Sequence, residues 1–210
     1  MKIGIFGSSG FAREVADICE AIGFSDIIFV NDDEARKTIS GIDVFPLSEI
    51  PRLEREGYVF AIGIGSPLIR KKIVAEFANL LFPNLIHPSV TFGRRQQSRL
   101  EETKGNILAA GVRLTNGIRV GNFCVFNINS TIGHDCNIED YVSIMSGCLI
   151  SGNVHIKEAA YLGSGAKVVQ GENQKRLSIG KEAFIGIGSV VLRRIHDGQK
   201  VFGNPAQKIS

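Results

Sequence analysis

His134 stands beside Asp135, so an imidazole has a carboxylate at its side. A free imidazole titrates at about pH 6.5, which suits it to take a proton from a reacting group and hand it on. Asp135 can hold such a ring in one tautomer, and Glu139 and Asp140 compete for that place. A lone histidine is usually surface or structural, so the pair needs a context. His87 beside Pro88 reads as structural, His155 as outward-pointing and His196 as solvated. Ser130 and Ser143 offer a rival nucleophile, but no G-x-S-x-G elbow accompanies either. Gly7-Ser8-Ser9-Gly10 is a second chemical feature, a turn whose backbone N–H groups at a helix start favour a phosphate. Asn31-Asp32-Asp33 adds carboxylates able to accept from a ribose or a base.

The elements that position these residues follow from spacing. Counting in sixes from Leu108 gives Leu114, Val120, Phe126, Ile132, Ile138, Ile144, Ile150, Ile156, Leu162 and Val168, every one large and apolar. Chance would produce that run about once in 10⁵. A period of six fits neither a helix nor an alternating strand. It predicts a solenoid in which each hexad is one short strand and one corner, with three hexads to a coil. The residues two before each hit, from Val112 to Ala166, are mostly small or aliphatic and form a second inward row. Gly121, Gly133 and Gly163 follow a hit directly, where a corner tolerates no bulk. His134 therefore sits at a corner, and Gly152, eighteen residues on, stacks on it one coil later. Ile86 and Phe92 begin the repeat, and the polar stretch Arg94–Gly105 reads as a loop. The register skips eleven residues to Ile179, so Gln170–Arg176 should leave the coil.

Residues 1–83 lack the six-residue period. Strands at Lys2–Phe6, Asp26–Val30 and Val59–Ile64 alternate with helices at Phe11–Ile22 and Leu68–Leu81. That order predicts a small parallel sheet, a truncated Rossmann-like unit. The fold class is an α/β N-terminal Rossmann-like domain (1–83) followed by an all-β parallel β-helix (84–210). Cys124, Cys136 and Cys148 are twelve apart and so fall on successive faces, which argues for packed thiols over a disulfide or a zinc site. A net charge of +3 is too mild to imply nucleic acid. No apolar run reaches the roughly 18 residues of a membrane span, and no signal-type segment opens the chain, so it reads as cytoplasmic. The G-x-G-x-x-G dinucleotide fingerprint is missing, which disfavours a nicotinamide oxidoreductase.

The hexads, with Gly7-Ser8-Ser9-Gly10, Ile86-His87-Pro88, Gly133-His134-Asp135-Cys136 and Gly203-Asn204-Pro205-Ala206 in that order, resemble the hexapeptide-repeat acyltransferases. Within them the chain is similar to the branch that acetylates bacterial amino sugars and sialic acids. The resemblance implies a left-handed coil, a homotrimer with sites between subunits, and acetyl-CoA as co-substrate without a metal. It implies His134 as general base with Asp135 as orienter. It also implies nucleotide-sugar contacts at Ser9, Gly10, Phe11, Asn31, Asp32 and Gly63, and coenzyme A contacts at Ser143, Gly152, Ser164 and Ile187. The Gly152 N–H is the expected donor to an oxyanion. Arg193, Arg194, Lys200 or Lys208 could meet the cofactor's phosphates. The apolar residues Phe123, Val125 and Tyr141 read as outward and in need of a partner's cover. The implied reaction is acetylation of the amino group of a nucleotide-linked 4-amino-deoxy sugar. The alternatives are O-acetylation of a sialic acid and, in another class, a catalytically silent trimeric binding module.

Overall fold

The computed structural model describes residues 1–33, 36–172 and 175–209. Lys2–Phe6 (β1), Asp26–Val30 (β2), Thr38–Ile39 (β3), Ile42–Phe45 (β4) and Tyr58–Ile62 (β5) form one sheet in the order β3-β4-β2-β1-β5. The pairings are parallel except for β3 against β4. The short β3–β4 ribbon was not anticipated from sequence. Helices Gly10–Ala21 (α1), Ile50–Arg55 (α2) and Pro67–Glu76 (α3) complete the unit. Val15 and Ile18 turn α1 onto Ile3, Ile5 and Phe29, while Phe6, Phe60 and Phe82 fill a second core. The sequence extends α3 to Leu81, but the helix stops at Glu76. There the chain turns, and the Leu81 carbonyl is spent on the Phe60 N–H (2.8 Å).

From Leu85 the chain winds into a triangular prism. Face one stacks eight strands from Leu85–Ile86 to Gln207–Lys208, face two stacks six from Thr91–Phe92 to Val190–Val191, and face three stacks four from Arg119–Val120 to Leu177–Ile179. The first coil pairs with the second at an offset of twenty-two residues, as in Leu85↔Ile107, and from there to the insertion the coils pair parallel and in register at eighteen, as in Thr131↔Leu149. The hexad residues and the row two before them point inward and form one core, with Val120 the least buried of the series. Each buried Leu or Ile there contributes about 1.5–3 kcal/mol, so the repeat is the main stabiliser of the coil. Cys124, Cys136 and Cys148 precede strands of faces one, three and two, all buried and free. Burial pushes their thiols up to about 12, 11 and 11. As thiols, not thiolates, they pack as small apolar groups.

Two expectations need correction. Arg94–Gly105 is not only a loop: Gln96–Leu100 forms a short helix, α4, that plugs the first coil. Leu100 enters the core, and the buried Gln96 amide accepts from the Ile118 N–H (3.0 Å) and donates to the Ile118 carbonyl (2.8 Å). The side chain thus supplies the bonds of a strand that face three lacks at this end. Polar composition concealed it. Second, Phe123, Val125 and Tyr141 do not await a second copy. The α/β unit of the same chain lies over face one, packing Val125 with Ile107 and Leu85, and Phe123 with Phe82 and Tyr141. At the register skip, Glu172 and Lys175 pair with each other before Leu177–Ile179 rejoins face three. Asn173 and Gln174, within the expected loop, lie outside the described residues.

Candidate active site

His134 projects from the edge where face two turns into face three. Gly133 before it lets the next coil close in, since a Cβ there would fall 2.5 Å from the Gly152 nitrogen. Asp135 takes the left-handed backbone (φ 59°), which aspartate tolerates, and its N–H donates to the Asn116 carbonyl (2.9 Å). Its Oδ2 then lies 2.8 Å from His134 Nδ1. The competing carboxylates are engaged elsewhere. Glu139 holds His155 Nε2 (2.6 Å) and the Glu158 N–H (2.9 Å), and Asp140 accepts from the Asn122 N–H (2.7 Å). Asp135 alone faces His134. With Nδ1–H donating to that carboxylate, Nε2 carries the free lone pair. The ring lies across Gly152, where a Cβ would fall 2.5 Å from Nε2. The Gly152 N–H has no hydrogen-bond partner among the described residues. A basic nitrogen beside a free backbone N–H is the combination that acyl transfer uses.

Burial closes the serine alternatives. The Ser130 hydroxyl is sealed inside the coil without a partner. The Ser143 hydroxyl donates to the Gly65 carbonyl (2.8 Å) and accepts from Arg70 (3.0 Å) under the α/β unit. Neither meets a substrate.

A cavity of about 750 Å³ opens at the carboxyl ends of β1 and β2. Ser9, Asn31 and Asp32 line it, as do Ile64, Ile73, Glu76 and Phe77, which sequence reasoning missed. Ile73 and Phe77, four apart, were the available signal. The Asn31 side chain is spent on neighbours: its amide donates to the Ser8 hydroxyl (2.8 Å), and its oxygen accepts from the Asp33 N–H (3.2 Å). Asp32 Oδ1 accepts from the Leu47 N–H (2.7 Å), and its second oxygen has no partner among the described residues. Gly10 and Phe11 begin α1 next to the cavity without lining it. Gly63 has a packing role: a Cβ there would fall 2.6 Å from Ala12 Cα, so glycine is what lets α1 lie on the sheet.

The residues expected to meet coenzyme A do not converge in one chain. Ser143 is covered on face one. Ser164 and Ile187 stack on the edge between faces one and two, where the Gly188 N–H donates to the Ser164 carbonyl. Gly152 lies across face two, on the His134 edge. Ile187 is 74% exposed.

Sequence reasoning also missed Arg70, which is 1% exposed. From α3 its guanidinium donates to the carbonyls of Ile64 (3.1 Å), Gly65 (2.9 Å), Phe123 (3.1 Å), Tyr141 (2.7 Å) and Val142 (3.3 Å) and to the Ser143 hydroxyl. Burial pushes it down to about 10, so it stays charged at neutral pH. It bolts the cavity-bearing unit to the coil. Lys71 adds a surface tie to Glu158, which Lys181 also meets at 2.9 Å.

A model of the PglD N-terminal domain matches residues 2–77. GDP-perosamine N-acetyltransferase of Escherichia coli O157:H7 is 30% identical over 218 residues, covering 98% of this chain and 95% of that one. The chain belongs to this hexapeptide-repeat acetyltransferase family. Solved family members share the whole architecture. WeeI from Acinetobacter baumannii AYE aligns over 100% of both chains at 30% identity with a TM-score of 0.88. The acetyltransferase domain of PglB from Neisseria gonorrhoeae FA1090, solved with acetyl coenzyme A, aligns over 99% of this chain and 98% of that one at 26% identity, TM-score 0.87. Among the described residues no helix is long and apolar enough to cross a membrane.

Proposed function

We propose that this acetyltransferase moves the acetyl group of acetyl-CoA to the amino group of a nucleotide-linked 4-amino-deoxy sugar, in the cytoplasm, for bacterial surface glycan biosynthesis. The observation that carries the chemistry is His134 Nε2 lying against Gly152 while Asp135 holds Nδ1. The amine nitrogen attacks the thioester carbon, and His134 Nε2 takes the proton released as the new C–N bond forms. The carbonyl oxygen becomes an oxyanion facing the Gly152 N–H. The C–S bond then breaks, and the imidazolium returns its proton to the departing thiolate. Asp135 keeps the ring oriented and stabilises its transient charge.

Residues 1–83 would hold the nucleotide end and residues 84–210 would carry out the transfer. Support for the first role comes from the cavity at the end of β1, beside the α1 N-terminus, where dinucleotide-type sheets bind ligands. The relatives named for GDP-perosamine and for acetyl coenzyme A support the two substrates.

The same geometry supports a homotrimer. The α/β unit covers face one, and the His134 edge is the edge opposite that face. A cavity and a base on opposite sides of one prism need a second copy to bring them together. Face two is the surface suited to this. It carries Leu149 (47% exposed), flanked by Ile128 and Ile187 on one edge and Val169 and Leu192 on the other. Face three presents Arg119, Asn137 and the His155–Glu139 pair instead. Face-two packing in a homotrimer sets the His134 edge of one copy against the Ser164–Ile187 edge of the next. A monomeric mass in dilute solution by light scattering would refute this assembly.

The test of the reaction is incubation with acetyl-CoA and a panel of nucleotide amino sugars and sialic acids, following thiol release. Amide formation on a 4-amino sugar is expected. Turnover on hydroxyl acceptors alone would replace it with the O-acetylation reading.

A further inference from the structure

We infer that Gly117 is a positioning residue for the acetyl-transfer step, because the space of its missing side chain is where the Asp135 carboxylate rests. The inference depends on His134 being the base. Gly117 lies eighteen residues before Asp135, at the same corner of the preceding coil. A Cβ on Gly117 would fall 2.5 Å from Asp135 Oδ1, with its next contacts no nearer than 3.6 Å. The group that must yield is therefore the carboxylate, while the backbone around it keeps normal contact.

The carboxylate has little freedom to yield without consequence. Asp135 is fixed by its left-handed backbone and by its N–H bond to the Asn116 carbonyl. Rotation of the side chain is then the remaining way to relieve the clash, and rotation takes Oδ2 off His134 Nδ1. The imidazole is bounded on its other side by Gly152, at the next coil. One missing side chain below the carboxylate and one beside the ring set the pair between them. Gly117 is not a hexad residue, and it makes no polar contact with the pair.

The test separates positioning from general damage. Gly117 has φ +71°, so Gly117→Ala also carries a backbone cost. Gly198→Ala is the matched control, with φ +66° and nothing within 4 Å of a Cβ. The two variants should lose similar thermal stability. Only Gly117→Ala should lower kcat, by roughly 10- to 100-fold as expected for a misplaced catalytic group, with the KM for acetyl-CoA within about twofold of wild type. Asp135→Gly then supplies the second background, since glycine accepts φ 59° and removes the carboxylate. There, Gly117→Ala should lower kcat by less than about twofold, because nothing remains for the methyl to displace. An equal loss in both backgrounds, or an equal kcat loss in Gly198→Ala, overturns the role of Gly117. Full activity in His134→Ala overturns the underlying assignment of the base instead.

Discussion

Replacing Arg70 by Met should destabilise the protein by about 3–5 kcal/mol, and the size follows from what the guanidinium leaves behind. Three of its acceptors, the carbonyls of Ile64, Phe123 and Tyr141, have no other donor among the described residues. The Gly65 carbonyl keeps the Ser143 hydroxyl, and the Val142 carbonyl keeps the Val125 N–H. An orphaned buried carbonyl costs about 1–3 kcal/mol; the bond to Phe123 is buried and those to Ile64 and Tyr141 are half-buried, which keeps the sum at the lower end. Removing a buried cation returns some desolvation energy, and where both partners of a buried pair are replaced that return can dominate. Here the acceptors are main chain and stay, so the loss wins. At this chain length, a loss of about 3 kcal/mol lowers the melting temperature by about 6–12 °C. Arg70→Lys, with fewer donors in no fixed fork, should recover only part of it. Urea titration with fluorescence and circular dichroism measures the change. Because α3 carries Ile73 to the cavity wall, as it does the Phe77 that caps its C-terminus, KM for the nucleotide sugar should rise more than KM for acetyl-CoA. An Arg70→Met variant within about 1 kcal/mol of wild type would refute the reasoning.

Steady-state kinetics should show His134→Ala lowering kcat by roughly 10²–10⁴-fold with a far smaller effect on acetyl-CoA affinity, and Asp135→Asn giving an intermediate loss. Asp32→Ala should raise KM for the nucleotide sugar; because it also frees the Leu47 N–H, a modest fall in melting temperature should accompany it. An unchanged KM would place nucleotide binding elsewhere. Gly63→Ala should destabilise markedly, since the clash is with the Ala12 backbone, and calorimetry reads it directly. Lys71 and Lys181 hold the Glu158 carboxyl below the usual carboxylate range. A depressed carboxyl stabilises above its unfolded value and stops doing so as pH falls through its folded one. The melting-temperature gap between wild type and Glu158→Gln should therefore be constant above about pH 5 and close on further acidification. A gap that widens in acid would contradict the tie.

Much was legible in the chain because a six-residue period has one structural solution. Leu108 through Val168 fixed the strands, the inward rows and the corner that holds His134, since only a three-hexad coil buries that row continuously. Strong local periodicity also gave β1, β2 and α1. Short or polar elements were hidden for the opposite reason. Gln96 and Leu100 make α4 through contacts with Ile118 and the coil interior, and α4 has too few residues for a pattern. Asp135 was one of three plausible orienters in sequence. The choice fell to it because neighbouring coils had already engaged Glu139 and Asp140.

The α3 segment marks the boundary between the two kinds of information. Local hydrophobicity would turn Leu68 and Ile69 inward and Arg70 to water, yet Leu68 and Ile69 are 48% and 46% exposed and Arg70 is buried. Face one presents carbonyls at Phe123, Tyr141 and Val142, and a donor-rich side chain satisfies them where an aliphatic one would leave them orphaned. Sequence by itself determined the coil, its register and the corner position of His134. Tertiary structure decided which carboxylate faces its imidazole, which glycine leaves space beside that carboxylate, and which cation joins the two halves. Those choices depend on groups sixteen or more residues apart meeting in space, and no local pattern records them.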